Sequence, residues 1–200
     1  MRTRTLSVAL LLLALAALAG CSIPVTLSDV SLLPGAVPLD ASGLTQYTQD
    51  LSETENASRI TGIQSFSLTF DCANASGQAL TMDIWLSRND SLTIANLPAS
   101  GTAAAADTIR VWTGAIASGL NGQVQAPWGQ ITNRDQACGM LNPNTGRDAQ
   151  GHKYVTVYVV TRPTGSGVIV GNMTADVTVG VSLLGASSRG TVEVVRVRFE

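Results

Sequence analysis

From residue 63 onward, apolar and polar residues alternate along much of the chain. Phe66, Leu68 and Phe70 stand between Ser65, Ser67 and Thr69, and Leu80, Met82, Ile84 and Leu86 alternate with Thr81, Asp83, Trp85 and Ser87. A period of two sends one set of side chains to a core face and the other toward solvent. Residues 74–78 contain Asn, Ser and Gly and read as a hairpin loop between these strands. In residues 107–113, Ile109 and Val111 oppose Arg110 and Trp112. Residues 153–162 are β-branched and aromatic, and the turn-rich stretch 163–167 closes them. Residues 168–184 then place Met173, Ala175, Val177, Val179, Val181 and Leu183 on one face, with Asn172, Thr174, Asp176, Thr178 and Ser182 on the other. A last strand over 190–200 changes parity between Val194 and Val195, which marks a bulge.

The first part of the mature chain is less regular. Pro24 and Pro34 suit a tether or an edge strand, since proline cannot donate to a central ladder. In the polar stretch 40–58, Leu44, Tyr47 and Leu51 fall at helical spacing, which predicts a short helix or a mobile linker. Residues 114–133 are rich in Gly, Asn and Gln, and Asn142-Pro143-Asn144-Thr145-Gly146 is a turn. The expected fold is an all-β antiparallel sandwich of about 7–9 strands, immunoglobulin-like or jelly-roll, over residues 63–200. Residues 21–62 are expected to form an anchor, a tether and edge segments.

Residues 1–20 follow another pattern. Arg2 and Arg4 precede an apolar run from Leu6 to Leu18 broken only by Ser7. Thirteen helical residues reach about 20 Å, short of the ~30 Å hydrocarbon core, so the run reads as an export signal. It ends in Leu18-Ala19-Gly20-Cys21, which resembles the lipobox of bacterial lipoproteins. The resemblance implies that the Cys21 thiol receives a diacylglyceryl group and that the chain is cut before it. It also implies an exported protein held to the cell envelope through Cys21. Ser22 after the cysteine implies the outer membrane in a Gram-negative organism.

Loss of residues 1–20 removes two arginines and no acid, so the net charge moves from −2 to −4. Without a basic excess, no nucleic-acid partner is expected. Only 13% of residues are charged, about half the usual share. The 36 Ser and Thr of the mature chain, one residue in five, fill the polar faces instead. With Cys21 taken by lipid, Cys72 and Cys138 are an even pair in an oxidising compartment, and a disulfide between them is expected. In the chain-entropy account it would contribute roughly 4 kcal/mol.

Candidate chemistry is sparse. His152, the only histidine, lies at a strand edge beside Gly151 and Lys153 and reads as a surface residue. Thr164-Gly165-Ser166-Gly167 reads as a hairpin loop and not a nucleophile elbow, and no zinc, EF-hand or phosphate-loop spacing occurs. No catalytic set, metal site or cofactor is expected. Trp85 and Trp112 have polar-face parity and Trp128 lies between Pro127 and Gly129, so the three are candidates for a binding surface. The competing reading covers those faces with a loop or a second sheet. The expected function is that of an envelope lipoprotein with a non-catalytic binding or structural β domain, its partner an envelope protein or polymer. The alternatives are an envelope hydrolase or metal-dependent enzyme with a loop-borne site, and an accessory subunit of an assembly or transport complex.

Overall fold

A computed structural model describes residues 22–52, 57–101, 103–105, 107–164 and 167–182. The export signal, Cys21, the strand expected over 190–200, and Gly165 and Ser166 lie outside the described residues. The described residues form nine strands: β1 (Ser22–Pro38), β2 (Leu44–Asp50), β3 (Ile60–Asn74), β4 (Leu80–Ser87), β5 (Ala103–Ala105), β6 (Thr108–Ile116), β7 (Asn121–Ala126), β8 (Tyr154–Arg162) and β9 (Val168–Ser182). One helix, α1 (Arg134–Leu141), follows β7.

The strands make two sheets, ordered β1-β9-β3-β7 and β2-β8-β4-β6-β5. All pairings are antiparallel. Apart from the β4-β5-β6 run, each successive strand crosses to the other sheet. With the three-residue β5 set aside, four strands face four in jelly-roll order, and the immunoglobulin-like alternative drops out. It follows that residues 74–78 form a corner between sheets and not a hairpin, and that β8 and β9, in different sheets, are not a hairpin pair either. Asn74 holds the corner at 74–78: its Oδ1 accepts from the Ser76 N–H and hydroxyl, and its Nδ2 donates to the Gln78 and Ala117 carbonyls.

The core lies between the sheets and follows the alternation. Phe66, Leu68, Phe70 and Cys72 of β3 meet Val170, Met173, Ala175, Val177 and Val179 of β9 and the inward row Leu80, Met82, Ile84 and Leu86 of β4 in one buried cluster. Helix α1 docks on this cluster through Ala137, Met140 and Leu141, which share one helical face.

Three expectations are corrected. Of the stretch expected to hold anchor, tether and edge segments, residues 22–38 are an edge strand and not a tether: β1 pairs with β9 from Ser22↔Ser182 to Pro38↔Ile169. Pro24 and Pro34 are tolerated because β1 is an edge strand. Nor do residues 44–50 form a helix or linker; they are β2, paired with β8. Its inward positions include Thr45 and Gln49, both buried, and these polar residues hide the period of two. Finally, Cys72 and Cys138 are both free thiols. Cys72 points into the core from β3, whereas Cys138 sits half-buried beside the docking face of α1.

Candidate functional site

The three tryptophans go to three different places. Trp112 lies in the main core, its ring edge-on to Phe70 at 5.6 Å. Its parity is inverted by a bulge: Ile84 pairs with Trp112 but Trp85 pairs with Arg110, which leaves Val111 over. Trp85 does face outward from the second sheet, where a loop covers it, as the competing reading had it. With Leu97, Tyr158 and Val160 it forms a second buried cluster. Trp128 is half-buried on a single 3₁₀ turn, edge-on to Phe66 at 5.6 Å and under the Arg134 guanidinium at 5.1 Å. These three rings do not build a shared binding surface.

The loop over Trp85, residues 88–101, is fastened by polar groups. Asp83, 2% exposed, forms ion pairs with Arg110 at 3.3 Å and Arg162 at 2.5 Å. Both guanidiniums also reach the loop: Arg110 donates to the Ala99 carbonyl and Arg162 to the Leu97 carbonyl. Tyr158 donates its hydroxyl proton to the Asn89 carbonyl and accepts from the Leu92 N–H. This cluster satisfies a buried carboxylate and closes the outer face of the second sheet.

His152 is exposed, as expected of a surface residue. Its backbone N–H donates to Asp148, and its ring lies edge-on to Tyr154 at 5.8 Å. Its neighbour Lys153 is fully buried, and the Nζ donates to the carbonyls of Gly139, Asn142 and Thr145. A cation at a helix C-terminus meets the negative end of the dipole, so Lys153 ties α1 to β8. Burial pushes its ammonium down to about 8, with repulsion from Arg88 and Arg147 adding to the shift.

The open outer face of the first sheet carries a groove of about 270 Å³. Its floor is small: Ala36 of β1, Ala73 of β3, Gly122 of β7 and Gly171 of β9. Ile169, 42% exposed, forms an aliphatic wall, and Asp71, Asn121 and Asn172 supply the polar groups. A bulge in β9 shapes this place. Asn172 has φ 46° and donates its side-chain N–H to Asp71 at 2.8 Å. Gly171 is required where β1 crosses, because a Cβ there would stand 2.6 Å from the Gly35 carbonyl oxygen. The groove thus offers hydrogen-bond acceptors and donors beside an aliphatic surface, which suits a polar, hydroxyl-bearing ligand. Sequence reading assigned Asn172 only to a solvent face. The signal it passed over was Gly-Asn inside a strand pattern, which points to a bulge or a close backbone approach.

Among the described residues no group of three or more His, Cys, Asp or Glu side chains is placed to hold a metal ion. No family model matches the chain. No curated protein matches it. Among solved structures it is similar to a recombinant latent aurone synthase (polyphenol oxidase), at 15% identity and a TM-score of 0.41 over 72% of this chain and 25% of that one. It is also similar to dimeric latent PorU from Porphyromonas gingivalis, at 9% identity and a TM-score of 0.38 over 82% of this chain and 14% of that one. A third similarity is to the infectious bursal disease virus VP2 subviral particle, at 12% identity and a TM-score of 0.30 over 82% of this chain and 34% of that one. The chain spans about a quarter of the length of the aurone synthase it matches.

Proposed function

We propose that the chain is an envelope lipoprotein: Cys21 carries the lipid and the jelly roll is a non-catalytic binding or structural domain. The observation that carries this reading is the place of the lipobox. Leu18-Ala19-Gly20-Cys21 ends one residue before β1, and Ser22 is already paired with Ser182. The anchor therefore enters the fold directly. Among the described residues no helix is long and apolar enough to cross a membrane, and lipid on Cys21 would supply the attachment. More than one acyl chain makes such an anchor stable.

The long first sheet then separates anchor from groove. Ser182 and Ser22 stand at one end of the β1-β9 pair, while Ile169 and Pro38 stand at the other. Thirteen strand residues at about 3.3 Å each put the groove roughly 40 Å from the anchored end. That placement favours a groove facing away from the membrane, toward an envelope polymer or protein. Cys21→Ala in the native host tests the reading: the variant should stay unprocessed and leave the membrane fraction carrying no lipid. Normal cleavage and membrane retention of Cys21→Ala would refute it.

A further inference from the structure

The two sheets differ in length. β1, β3 and β9 run 17, 15 and 15 residues, but the strands of the second sheet run at most 9. Where the first sheet outlasts the second, its inner face is still apolar. Cross-strand rows place Val25 against Val179 and Ile63, and the next row outward places Val181 against Ile60. Among the described residues this end is roofed by Leu51, Leu141 and Pro143, which with Ile60, Ile63 and Val179 bound an apolar hollow. Among the described residues the roof is incomplete. Ile60 and Val179 are buried, but Val25, Ile63 and Val181 are only half-buried. The outer face at the same level is polar: Thr26 and Thr178 share a hydroxyl contact at 3.3 Å, and Asp176 accepts from the Asp29 N–H.

We infer that this open end of the β1-β9-β3 platform is a membrane-contact surface, with Val25, Ile63 and Val181 meeting the lipid. The inference rests on the lipoprotein reading. What identifies the occupant is chain continuity. Cys21 is bonded to Ser22, Ser22 is a strand residue, and Val25 follows four residues after the lipid-bearing cysteine, about 13 Å along an extended strand. Acyl chains buried in the bilayer hold the end row at the head groups, with no tether to lift it away. Val25, Ile63 and Val181 are only partly covered, and the covalent path to Cys21 selects the membrane as what meets them. The domain is then a second attachment beside the lipid and is fixed in orientation.

The test uses full-length, processed protein in vesicles of phosphatidylethanolamine and phosphatidylglycerol that carry a doxyl quencher near the head group. In a Cys72→Ala, Cys138→Ala background, single Val25→Cys, Val181→Cys, Thr26→Cys and Ile169→Cys variants take an environment-sensitive fluorophore. Thr26 is exposed at the level of Val25, so its label reads height without touching the core; Ile169 reports the far end. Labels at 25, 181 and 26 should be quenched by the doxyl lipid, and the label at 169 should not. With Cys21 shown lipidated by mass spectrometry, quenching at none of the near positions overturns the inference and leaves the lipoprotein reading intact. Labels at 25 and 181 shielded from aqueous iodide but untouched by doxyl lipid also overturn it, because residues 183–200 or a second copy would then be the cover. An unlipidated Cys21 removes the reading itself and the inference with it.

Discussion

The indole of Trp112 lies over Gly114, two residues along the same strand: a Cβ on Gly114 would stand 2.3 Å from one ring carbon and 2.4 Å from the next. The ring cannot simply swing aside, because it packs edge-on to Phe70 within the core. Gly114→Ala is expected to destabilise the domain by about 1–3 kcal/mol through overpacking. Gly122→Ala is its control, since nothing lies within 4 Å of a Cβ at that site. Urea denaturation followed by tryptophan emission compares the two. Equal midpoints would mean the ring and glycine do not constrain each other.

Asp83 is the counter-charge for two arginines. Its side chain is 2% exposed, against 13% for Arg110 and 22% for Arg162. Asp83→Asn leaves two guanidiniums facing each other in a largely dry place, and removing one partner of a buried pair costs about 3–5 kcal/mol. The same guanidiniums hold the Leu97 and Ala99 carbonyls, so the loop over Trp85 should loosen first. Iodide quenching should rise in the variant well before global unfolding. A variant with unchanged quenching and midpoint would show that the cluster does not fasten the loop.

Legibility from sequence tracked the match between pattern and local geometry. β3 and β9 were readable because Phe66, Leu68 and Phe70, and Met173 to Val181, keep strict alternation and face a single core. β2 was not, because Thr45 and Gln49 occupy buried inward positions that a hydrophobicity pattern reads as exposed. Trp112 was misplaced by one bulge, at Val111, since one extra residue inverts every parity after it. Asp83 and Trp85 were correctly placed on an outward face. What covers that face is the path of a distant loop, a tertiary fact that no local period encodes. The groove was harder still: it joins residues of four strands, and only Gly171-Asn172 left a local trace.

The two cysteines should be free and slow to react. Cys72 is 2% exposed. Burial pushes both thiols above their usual range, and Asp135 raises Cys138 further. In the full chain carrying Cys21→Ser, a thiol reagent added without reductant should find two groups after denaturation and react with Cys72 only on unfolding. Titration of no thiols in the denatured, unreduced chain would restore the bridge. A fast native reaction at Cys72 would contradict its burial.

Lys153 gives a pH signature. Its three carbonyl acceptors join α1 and the turn after it to β8, so Lys153→Met should cost at least about 2 kcal/mol near neutrality, the scale of hydrogen bonds to a charged group. The pH dependence has the sign of any group whose folded pKa is depressed, with its window at alkaline pH. Below about 8, folded and unfolded chains both hold the proton and the lysine adds no slope. Between about 8 and the ordinary 10.5, the unfolded chain holds more protons than the folded one. Stability contributed by this group therefore rises with pH across that window. The variant lacks this rise, while the remaining tyrosine and cysteine titrations are common to both chains. Urea midpoints taken at about pH 7.5 and about pH 10 should show the gap between wild type and Lys153→Met widening. A gap that narrows would mean the folded protein holds the Lys153 proton more tightly than the unfolded chain does, with the carbonyl cage outweighing desolvation and its two arginine neighbours.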